Sequence, residues 1–338
     1  MECIESVKEQ GSTVKSFISY CGGLPAPENS ENPLRYKFSW SPLGVFRNAH
    51  SGARYLLNGK VVDVPVGGAV LDARQNIDFL PGFNLEAIPN RDSTKYASPY
   101  GIESAHTIIR GTLRYRGYCE ALKGLLKVGL INDVPHPNLH PMGPEITWKE
   151  FMCTLLDQPL DMMLDMLKDA VFDNVKQDNI HYHTIANLGL LSDDVIEKKN
   201  TPLATVSHYM AKRLAYGANE RDIIVLRHNI AVERADKETE VRHINLVVYG
   251  DPRGYSAMAK CVGYPTAIAS KMLLEDEIQH KGIVIPLMPE IYRTMLKRLA
   301  YEGIVATETV SYPEYSPLHH GTPNNMSAHS NLFYQSAA

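Results

Sequence analysis

The chain lacks the compositional signs of several specialised protein classes. Its 338 residues include only five cysteines, an odd number at positions 3, 21, 119, 153 and 261. This wide spacing excludes a dense disulfide framework and a paired-cysteine metal site, so we expect reduced thiols in an intracellular compartment. No apolar run approaches the roughly 20 residues of a membrane-spanning helix. The formal net charge of −4 argues against a general nucleic-acid-binding surface.

The sequence also lacks the short motifs that indicate common nucleotide, metal and nucleophile sites. It contains no G-x-G-x-x-G, G-x-x-x-x-G-K-[ST], G-x-S-x-G or H-E-x-x-H pattern. His181 and His183 lie two residues apart in "HYHT". On a helix that spacing points the two imidazoles away from each other, so we expect no metal site there. The N-terminal residues show neither a secretory signal pattern nor an Arg- and Ser-rich leader.

Strand and turn signals are present in two parts of the sequence. A short helix that ends at Gly11 is followed by a predicted strand at residues 14–20, and "CGGLPAPENSENP" is then interpreted as a loop. The pair Asn58-Gly59 between apolar segments predicts a hairpin, because both turn residues need a positive φ. A second hairpin is predicted in "DIIVLRHNIAVERADKETEVRHINLVVYGD".

Helical patterns occupy other parts of the chain. Residues 105–130 carry apolar positions at mostly helical spacing and end in Gly129, and residues 145–216 are rich in helix formers. Two further helices are predicted after Gly250. The order of elements predicts an α+β fold, in which a mixed or antiparallel sheet is interrupted by an all-α subdomain.

One stretch concentrates guanidinium groups in this mildly acidic chain. In "AIPNRDSTKYASPYGIESAHTIIRGTLRY", Arg91 follows a Pro-Asn pair, and Arg110 and Arg114 lie downstream, with Arg116 just beyond the quoted residues. Guanidinium groups bind carboxylates through two parallel hydrogen bonds, so a ligand with several carboxylates needs several arginines. The alternative is a set of surface or interdomain salt bridges, each of which contributes little to stability.

Two other features have both a structural and a functional interpretation. Cys21 precedes two glycines at the end of the predicted strand. It is either a small buried thiol or an active-site group at the carboxyl end of that strand, where α/β folds place ligands. The segment "GDPRGYSAMAK" either offers backbone N–H groups at a helix N-terminus to an anion or is a turn in which Ser256 caps the helix. We favour the helix cap.

Longer strings carry a family resemblance. "SYCGGLPAPENSENPLRYKFSWSPLGV", "PNRDSTKY", "IIRGTLRYRGY" and "GYSAMAK" resemble the glutamate-forming saccharopine dehydrogenases, including the C-terminal half of the bifunctional animal α-aminoadipic semialdehyde synthases. The resemblance runs from about residue 1 to 310. It implies an oxidoreductase that acts on a CH–NH bond in lysine degradation, within the aminoadipate pathway. Such an enzyme oxidises the secondary amine of saccharopine with NAD or NADP, and hydrolysis of the imine releases L-glutamate and α-aminoadipic semialdehyde.

The resemblance also implies roles for individual residues. The residues expected to line the saccharopine site are Arg91, Thr112, Leu113 and Arg114. Saccharopine carries three carboxylates, and the arginines would be their receptors. Trp40 in "KFSWS" would contact the nicotinamide cofactor. Cys21 in "SYCGG" would lie near the reacting centre as a candidate acid or base, with its role unassigned.

The same resemblance divides the chain into expected units. The predicted units are a remnant helix of a Rossmann domain (1–12), a saccharopine-binding α+β domain (13–142 and 220–250), a helical subdomain (143–219), C-terminal helices that return to the Rossmann domain (251–310) and a disordered tail (311–338). In the family the Rossmann domain precedes the first helix of this chain and binds the cofactor phosphates. We therefore interpret the chain as a fragment that carries the substrate half of the enzyme and is inactive alone.

Three functions fit these observations. The chain is the substrate half of the dehydrogenase, or it forms a whole enzyme with a Rossmann unit supplied by a separate chain, or it is a non-enzymatic binding or regulatory protein that keeps the saccharopine pocket. The apolar "AMAKCVGYPTAIASKMLL" favours a surface for a partner, and self-association into a homo-oligomer would hide the same face. The resemblance to animal proteins implies a mitochondrial location, and the alternative is the cytoplasm.

Overall fold

A computed structural model describes residues 1–312, which contain ten α-helices and ten strands. The helices are α1 (Glu2–Glu9), α2 (Pro42–His50), α3 (Ala97–Tyr100), α4 (Tyr118–Lys127), α5 (Trp148–Leu155), α6 (Leu164–Asn174), α7 (Asn179–Asn187), α8 (Pro202–Arg213), α9 (Ala257–Leu274) and α10 (Pro289–Tyr301). The strands are β1 (Thr13–Pro25), β2 (Ala53–Leu57), β3 (Lys60–Val64), β4 (Gln75–Ile77), β5 (Leu85–Pro89), β6 (Arg91–Asp92), β7 (Thr107–Tyr115), β8 (Asp222–Glu233), β9 (Thr239–Tyr249) and β10 (Thr307–Ser311). Short 3₁₀ helices lie at Pro27–Asn29, Ala69–Leu71, Thr94–Tyr96 and Pro137–Leu139.

Within residues 1–312 the strands form one mixed sheet. The main path runs in the order β10-β9-β8-β1-β7-β2-β3, while β5 pairs with both β4 and β7, and β6 pairs with β2. The central pair β1–β7 is parallel, as is the short pair β2–β6, and the other pairs are antiparallel. The helices α5 to α8 follow one another between β7 and β8. The predicted α+β class with a mixed sheet is confirmed.

The locally encoded turns lie where the sequence predicts them. Asn58 and Gly59 have φ values of 50° and 75° and join β2 to β3. The second predicted hairpin is β8–β9, whose strands pair from Ile223 opposite Tyr249 to Glu233 opposite Thr239. Each of these features depends on residues close in sequence, which explains why a local pattern was sufficient.

Two predicted elements are wrong. Residues 105–130 are not one helix: the first part is β7, which lies next to β1 near the centre of the sheet, and only the second part is α4. The predicted loop after residue 20 begins too early, because β1 continues through Cys21 to Pro25. A Cβ on Gly22 would lie 2.7 Å from Leu113 Cβ. The glycine therefore allows close approach of β1 to β7 rather than a turn.

The C-terminal part of the chain also differs from the prediction. After α9 and α10, residues 307–311 form the strand β10, which pairs with β9. The sequence predicts helices up to residue 310 and a disordered tail from residue 311, so both predictions are wrong for these five residues. The remainder of the predicted disordered tail, residues 313–338, lies outside the described residues. None of the helices within residues 1–312 is long and apolar enough to cross a membrane.

The largest core belongs to the helical part of the chain. Trp148 and Phe151 of α5 are almost completely buried, and Thr147 starts this helix with a reciprocal capping box to Glu150. Helices α4 and α7 approach closely at Gly124, where a Cβ would lie 2.8 Å from the Cα of His181. This core extends through α2 and α4 to the edge of the sheet, and it supports the site described next.

Candidate anion-binding site

Two parallel strands place three of the six predicted site residues, Cys21, Thr112 and Arg114, on one side of the sheet. Cys21 of β1 lies opposite Thr112 of β7, and Ser19 lies opposite Arg110. Because side chains alternate along a strand, Arg110, Thr112 and Arg114 project from the same side of β7. We call the surface that these five residues form the Cys21 face.

Three apolar groups border the Cys21 face. At one end, α1 packs with Phe17 and its neighbours. Along one edge, α9 lies on the sheet, and the terminal methyl group of Met258 is 2.7 Å from where a Cβ on Gly23 would be. At the other end, Tyr36 and Tyr118 belong to the main core. The centre of the face is left exposed.

Arg114 is buried, and no carboxylate among residues 1–312 pairs with it. The residue is only 7% exposed, and its guanidinium carbon lies 4.6 Å from the ring centre of Tyr36 and 5.2 Å from that of Tyr118. Its Nη1 donates to the carbonyl of Leu113 at 2.7 Å, but within residues 1–312 its Nε has no acceptor. Burial lowers the pKa of Arg114, but the two phenols outweigh it and hold the pKa above its ordinary value. An anionic ligand would stabilise such a cation.

Thr112 and Arg114 line the same recess. The recess is narrow and mostly apolar, and Asn48 and Tyr118 are its other polar lining residues. Asn90 Nδ2 donates to Thr112 Oγ1 at 2.8 Å. That bond uses a lone pair of the hydroxyl and leaves its proton to donate elsewhere. A hydroxyl donor and a guanidinium therefore reach one recess, which suits a carboxylate.

Leu113 lies on the opposite side of β7 from Thr112 and Arg114. Its side chain is fully buried in a second core that includes Tyr20 and Tyr115. The strand alternation therefore separates the three consecutive residues that the resemblance assigns to the site. Leu113 contributes through its backbone, since its carbonyl accepts the hydrogen bond from Arg114.

Arg91 lies on a different segment from Arg114. It is an exposed residue of β6, has a φ of 50° and is the register partner of Ala53. Within the described residues it forms no ion pair. Arg91 is not among the residues that line the recess of Arg114. The preceding residue, Asn90, connects the two segments through its bond to Thr112.

The Cys21 thiol is protonated at neutral pH. Although the residue is exposed, the surrounding protein desolvates the thiolate and raises the pKa of Cys21. The positive charges of Arg114 and Arg110 lower this pKa and offset part of the rise. The group therefore has the protonation state of a weak acid rather than of a nucleophile.

Trp40 continues an extended aromatic segment. Tyr36 and Phe38 are buried, with ring centres 5.2 Å apart, whereas Trp40 is 58% exposed. The next residue, Ser41, caps α2 by accepting a hydrogen bond from the backbone of Gly44. The exposed indole offers a flat apolar surface four residues beyond the tyrosine that contacts Arg114.

Sequence reasoning missed the two tyrosines that hold Arg114. Tyr36 belongs to the segment between β1 and α2, and Tyr118 is the first residue of α4. The alternation of Leu34, Tyr36 and Phe38 is a signal for a segment with one buried side. No pattern within that segment indicates which distant side chain it covers.

The N-terminus of α9 already has a carboxylate. Asp222 accepts hydrogen bonds from the backbone N–H groups of Ala257 at 2.6 Å and Met258 at 2.8 Å. Ser256 Oγ accepts from Ala259 at 3.0 Å. The helix cap predicted for Ser256 is confirmed, and the alternative anion site is wrong because Asp222 fills the position that a ligand would take.

His181 has a structural environment. It is buried in α7, with its Nε2 3.3 Å from Glu120 Oε2 and its Nδ1 3.0 Å from Lys127 Nζ. In the described part of the chain, no group of three or more His, Cys, Asp and Glu side chains is arranged to hold a metal ion. The Cys21 face is therefore the candidate site that the geometry supports best.

Comparison with known proteins finds relatives over most of the chain. A family model for the saccharopine dehydrogenase C-terminal domain matches residues 1–304. The mitochondrial α-aminoadipic semialdehyde synthase of Bos taurus is 50% identical over 307 residues, which are 91% of this chain and 33% of that protein. The saccharopine dehydrogenase (NADP(+), L-glutamate-forming) of Schizosaccharomyces pombe is 35% identical over 314 residues, which are 92% of this chain and 70% of that protein.

A solved structure shows the same fold. The apo histidine-tagged saccharopine dehydrogenase (L-Glu forming) of Saccharomyces cerevisiae matches with a TM-score of 0.84 and 36% identity, over 92% of this chain and 70% of that one. The chain spans about a third of the length of its animal relatives and about 70% of the fungal ones. The resemblance seen in the sequence strings is confirmed.

Proposed function

This chain belongs to the family of saccharopine dehydrogenase C-terminal domains, and we propose that it forms the saccharopine-binding part of an L-glutamate-forming saccharopine dehydrogenase. The observation that supports this most directly is the buried Arg114, which has aromatic neighbours but no carboxylate within the described residues. A cation held in this way favours an anionic ligand, and saccharopine carries three carboxylates. The reaction converts saccharopine, NAD(P)+ and water to L-glutamate, α-aminoadipic semialdehyde and NAD(P)H.

The residues of the Cys21 face have separate roles in this proposal. Arg114 and Thr112 bind one carboxylate in their shared recess, with the Leu113 carbonyl fixing the guanidinium. Arg91, exposed on its own segment, binds another. Cys21 lies beside the reacting amine, where its protonated thiol is able to donate a hydrogen bond to the nitrogen. These residues orient the substrate and neutralise its charge.

The nicotinamide cofactor supplies the hydride acceptor when it is bound. The exposed ring of Trp40 fits a contact with the planar end of such a cofactor. The N-terminus of α9 does not offer its backbone N–H groups to the cofactor phosphates, because Asp222 accepts from them. The fungal relatives carry NADP(+) in their names. For this chain we propose NAD or NADP, held mainly by a Rossmann unit.

The C-terminal helices fit a contact with that unit. Of the 18 residues of α9, only Ala257 and Met272 are buried. Val262 and Leu274 are 58% and 85% exposed. A helix with this much apolar surface in solvent is typical of a surface that another domain covers. We propose that a Rossmann unit, in cis or in trans, covers α9 and α10. We also propose a mitochondrial location for this protein, because the animal relatives carry that label in their names.

The test is saccharopine binding and turnover by the full 338-residue chain. Calorimetry is expected to show that the chain alone binds saccharopine, and that L-lysine and L-glutamate, which carry fewer carboxylates, bind more weakly. Absorbance of reduced nicotinamide is expected to stay flat with the chain alone and to rise once a Rossmann unit from a relative is added in trans.

Other results of this test are informative. Turnover by the chain alone would show that it holds the cofactor without a Rossmann unit. Binding that no Rossmann unit converts into turnover would favour a non-enzymatic binding protein. Absence of saccharopine binding by a folded chain would contradict the proposed function.

A further inference from the structure

Arg110 is a guanidinium on the Cys21 face to which the family resemblance assigns no role. It lies two residues before Thr112 on β7 and opposite Ser19 of β1. Its backbone N–H donates to Ser93 Oγ at 2.9 Å, and Ser93 is almost fully buried. The main chain at Arg110 is therefore fixed by the sheet and by a buried hydroxyl.

An aromatic residue, rather than a counterion, positions the Arg110 side chain. Its Nη1 donates to the hydroxyl of Tyr96, and its guanidinium carbon lies 4.5 Å from the centre of the Tyr96 ring. Within residues 1–312 no carboxylate pairs with Arg110. An arginine has five N–H donors, so most of its donors are left for an acceptor from a ligand.

The charges of Arg110 and Arg114 act on the same region. Both lower the pKa of the Cys21 thiol, against the burial that raises it. Burial lowers the pKa of His228 to about 4, and the charge of Arg110 contributes to this shift. His228 is therefore neutral at pH 7 and adds no charge of its own. The electrostatic potential at the centre of the Cys21 face is therefore made positive by Arg110 on one side and by Arg114 on the other.

We propose that Arg110 is a further carboxylate receptor of this site, placed so that one ligand carboxylate binds on each side of the Cys21 thiol. Arg110 and Arg114 are four residues apart on one strand, or about 13 Å between Cα atoms at about 3.3 Å per residue. Cys21 lies opposite Thr112, midway between them. The ligand class that fits is a secondary amine with carboxylates on both of its arms and its nitrogen near the thiol. The identity of that ligand as saccharopine rests on the proposed function.

The test compares two alkylating reagents that differ by one charge. Iodoacetate carries a carboxylate and iodoacetamide is its neutral counterpart, and the sulfur of Cys21 displaces iodide from either. The rate of modification at Cys21 is measured by peptide mass spectrometry in the full chain, which separates it from the other cysteines. The ratio of the two rates reports attraction of a carboxylate and is insensitive to changes in thiol pKa.

In Arg110→Gln this ratio is expected to fall about five-fold, the effect of one unit charge several ångströms away in a partly solvated site. Arg110→Lys is expected to restore most of the ratio, and Tyr96→Phe to lower it less than Arg110→Gln does. The matched control is Arg234→Gln, which removes a surface arginine that pairs with Asp236 and is expected to leave the ratio unchanged. An unchanged ratio in Arg110→Gln would overturn the proposal.

Protection by saccharopine separates this proposal from the proposed function. Saccharopine is expected to slow modification of Cys21 by iodoacetamide, and in Arg110→Gln the concentration for half-protection is expected to rise about ten-fold or more. The ratio of the two rates could fall in Arg110→Gln while saccharopine fails to protect Cys21 in the wild-type chain. That result would support Arg110 as a carboxylate receptor and contradict saccharopine as its ligand. Equal protection of the wild-type chain and Arg110→Gln would overturn the role of Arg110 and leave the proposed function intact.

Discussion

Arg74 and Arg114 differ in how the protein compensates their charges, although both lie close to Glu86. On the β5–β7 pair, Glu86 is the register partner of Arg114. Its carboxylate nevertheless pairs with Arg74, at 3.4 Å between Oε2 and Nε, and accepts from the backbone of Cys119 at 2.8 Å. Arg74 also pairs with Glu120. One arginine thus has two carboxylates, while the other has two tyrosines.

This difference indicates which region serves the fold and which serves a ligand. Glu86 holds the start of α4 and the segment around Arg74 together, so its charge is used in the folded chain itself. Arg114 keeps a donor without an acceptor inside the described structure. A buried charge that lacks a counterion costs stability, and proteins retain such groups where they function. The contrast is open to four tests.

Of the charged residues in this comparison, Glu86 has the largest expected effect on stability. Because this carboxylate is 1% exposed, Glu86→Ala leaves Arg74 with one partner fewer and the Cys119 N–H without an acceptor. The free energy of unfolding is expected to fall by about 3 kcal/mol, as measured by chemical denaturation. Glu31→Ala, at an exposed position, is the control and is expected to change it by less than about 0.5 kcal/mol. A small loss of unfolding free energy in Glu86→Ala would show that the contacts of Glu86 with Arg74 and the Cys119 backbone do not stabilise α4.

The second test replaces Arg114 by an apolar side chain of similar length. Arg114→Met is expected to leave the free energy of unfolding unchanged or higher, because the site loses an uncompensated charge. Saccharopine affinity is expected to fall by about 1.5–3 kcal/mol, the scale of a hydrogen bond to a charged group. Calorimetry and denaturation of the same variant measure both quantities.

Arg91 offers a matched comparison for this second test. Because it is exposed and forms no ion pair within residues 1–312, Arg91→Ala is expected to lower saccharopine affinity by a similar 1.5–3 kcal/mol without affecting stability. A loss of stability in Arg114→Met as large as that in Glu86→Ala would remove the distinction between the two regions. Unchanged affinity in both arginine variants would remove both residues from the site.

The third test measures stability as a function of pH and reports on His228, which lies close enough to Arg110 for the arginine's charge to lower its pKa. Burial lowers the pKa of His228 from 6.5 to about 4. Between these values the unfolded chain binds a proton that the folded chain does not, so the free energy of unfolding falls as the pH drops from 6.5 towards 4. The contribution lost by pH 4 is expected to be about 3 kcal/mol, because each unit of pKa difference corresponds to about 1.4 kcal/mol. His228→Gln is expected to flatten this part of the stability profile, and an identical slope in the variant would show that His228 titrates normally.

The same contrast explains what could be predicted from the sequence. The Asn58-Gly59 turn and the Ser256 cap depend on residues close to one another, so local patterns were sufficient. The strand β7 was missed because "TIIRGTLRY" is apolar enough to continue the helical pattern of α4, and only its neighbours in the sheet make it a strand. Guanidinium groups in this stretch were recognised by type. The absence of a counterion at Arg114 could not be predicted in this way, because it depends on Glu86, whose carboxylate contacts Arg74 and the start of α4 instead.

Trp40 sharpens the comparison through a small expected effect on stability, because the only other tryptophan in the sequence is the buried Trp148. Trp148 is 1% exposed and packs against Tyr209 at 4.8 Å between ring centres, whereas Trp40 is 58% exposed. Trp148→Ala is therefore expected to cost about 3–5 kcal/mol of unfolding free energy, and Trp40→Ala less than about 0.5 kcal/mol. Saccharopine affinity is expected to persist in Trp40→Ala, while the KM for the cofactor rises in enzyme reconstituted with a Rossmann unit. Equal loss of saccharopine binding and cofactor use would mean that the indole supports the aromatic segment around Tyr36 and hence Arg114. A selective loss of cofactor use would instead place the cofactor next to the region where this chain leaves its charges unpaired.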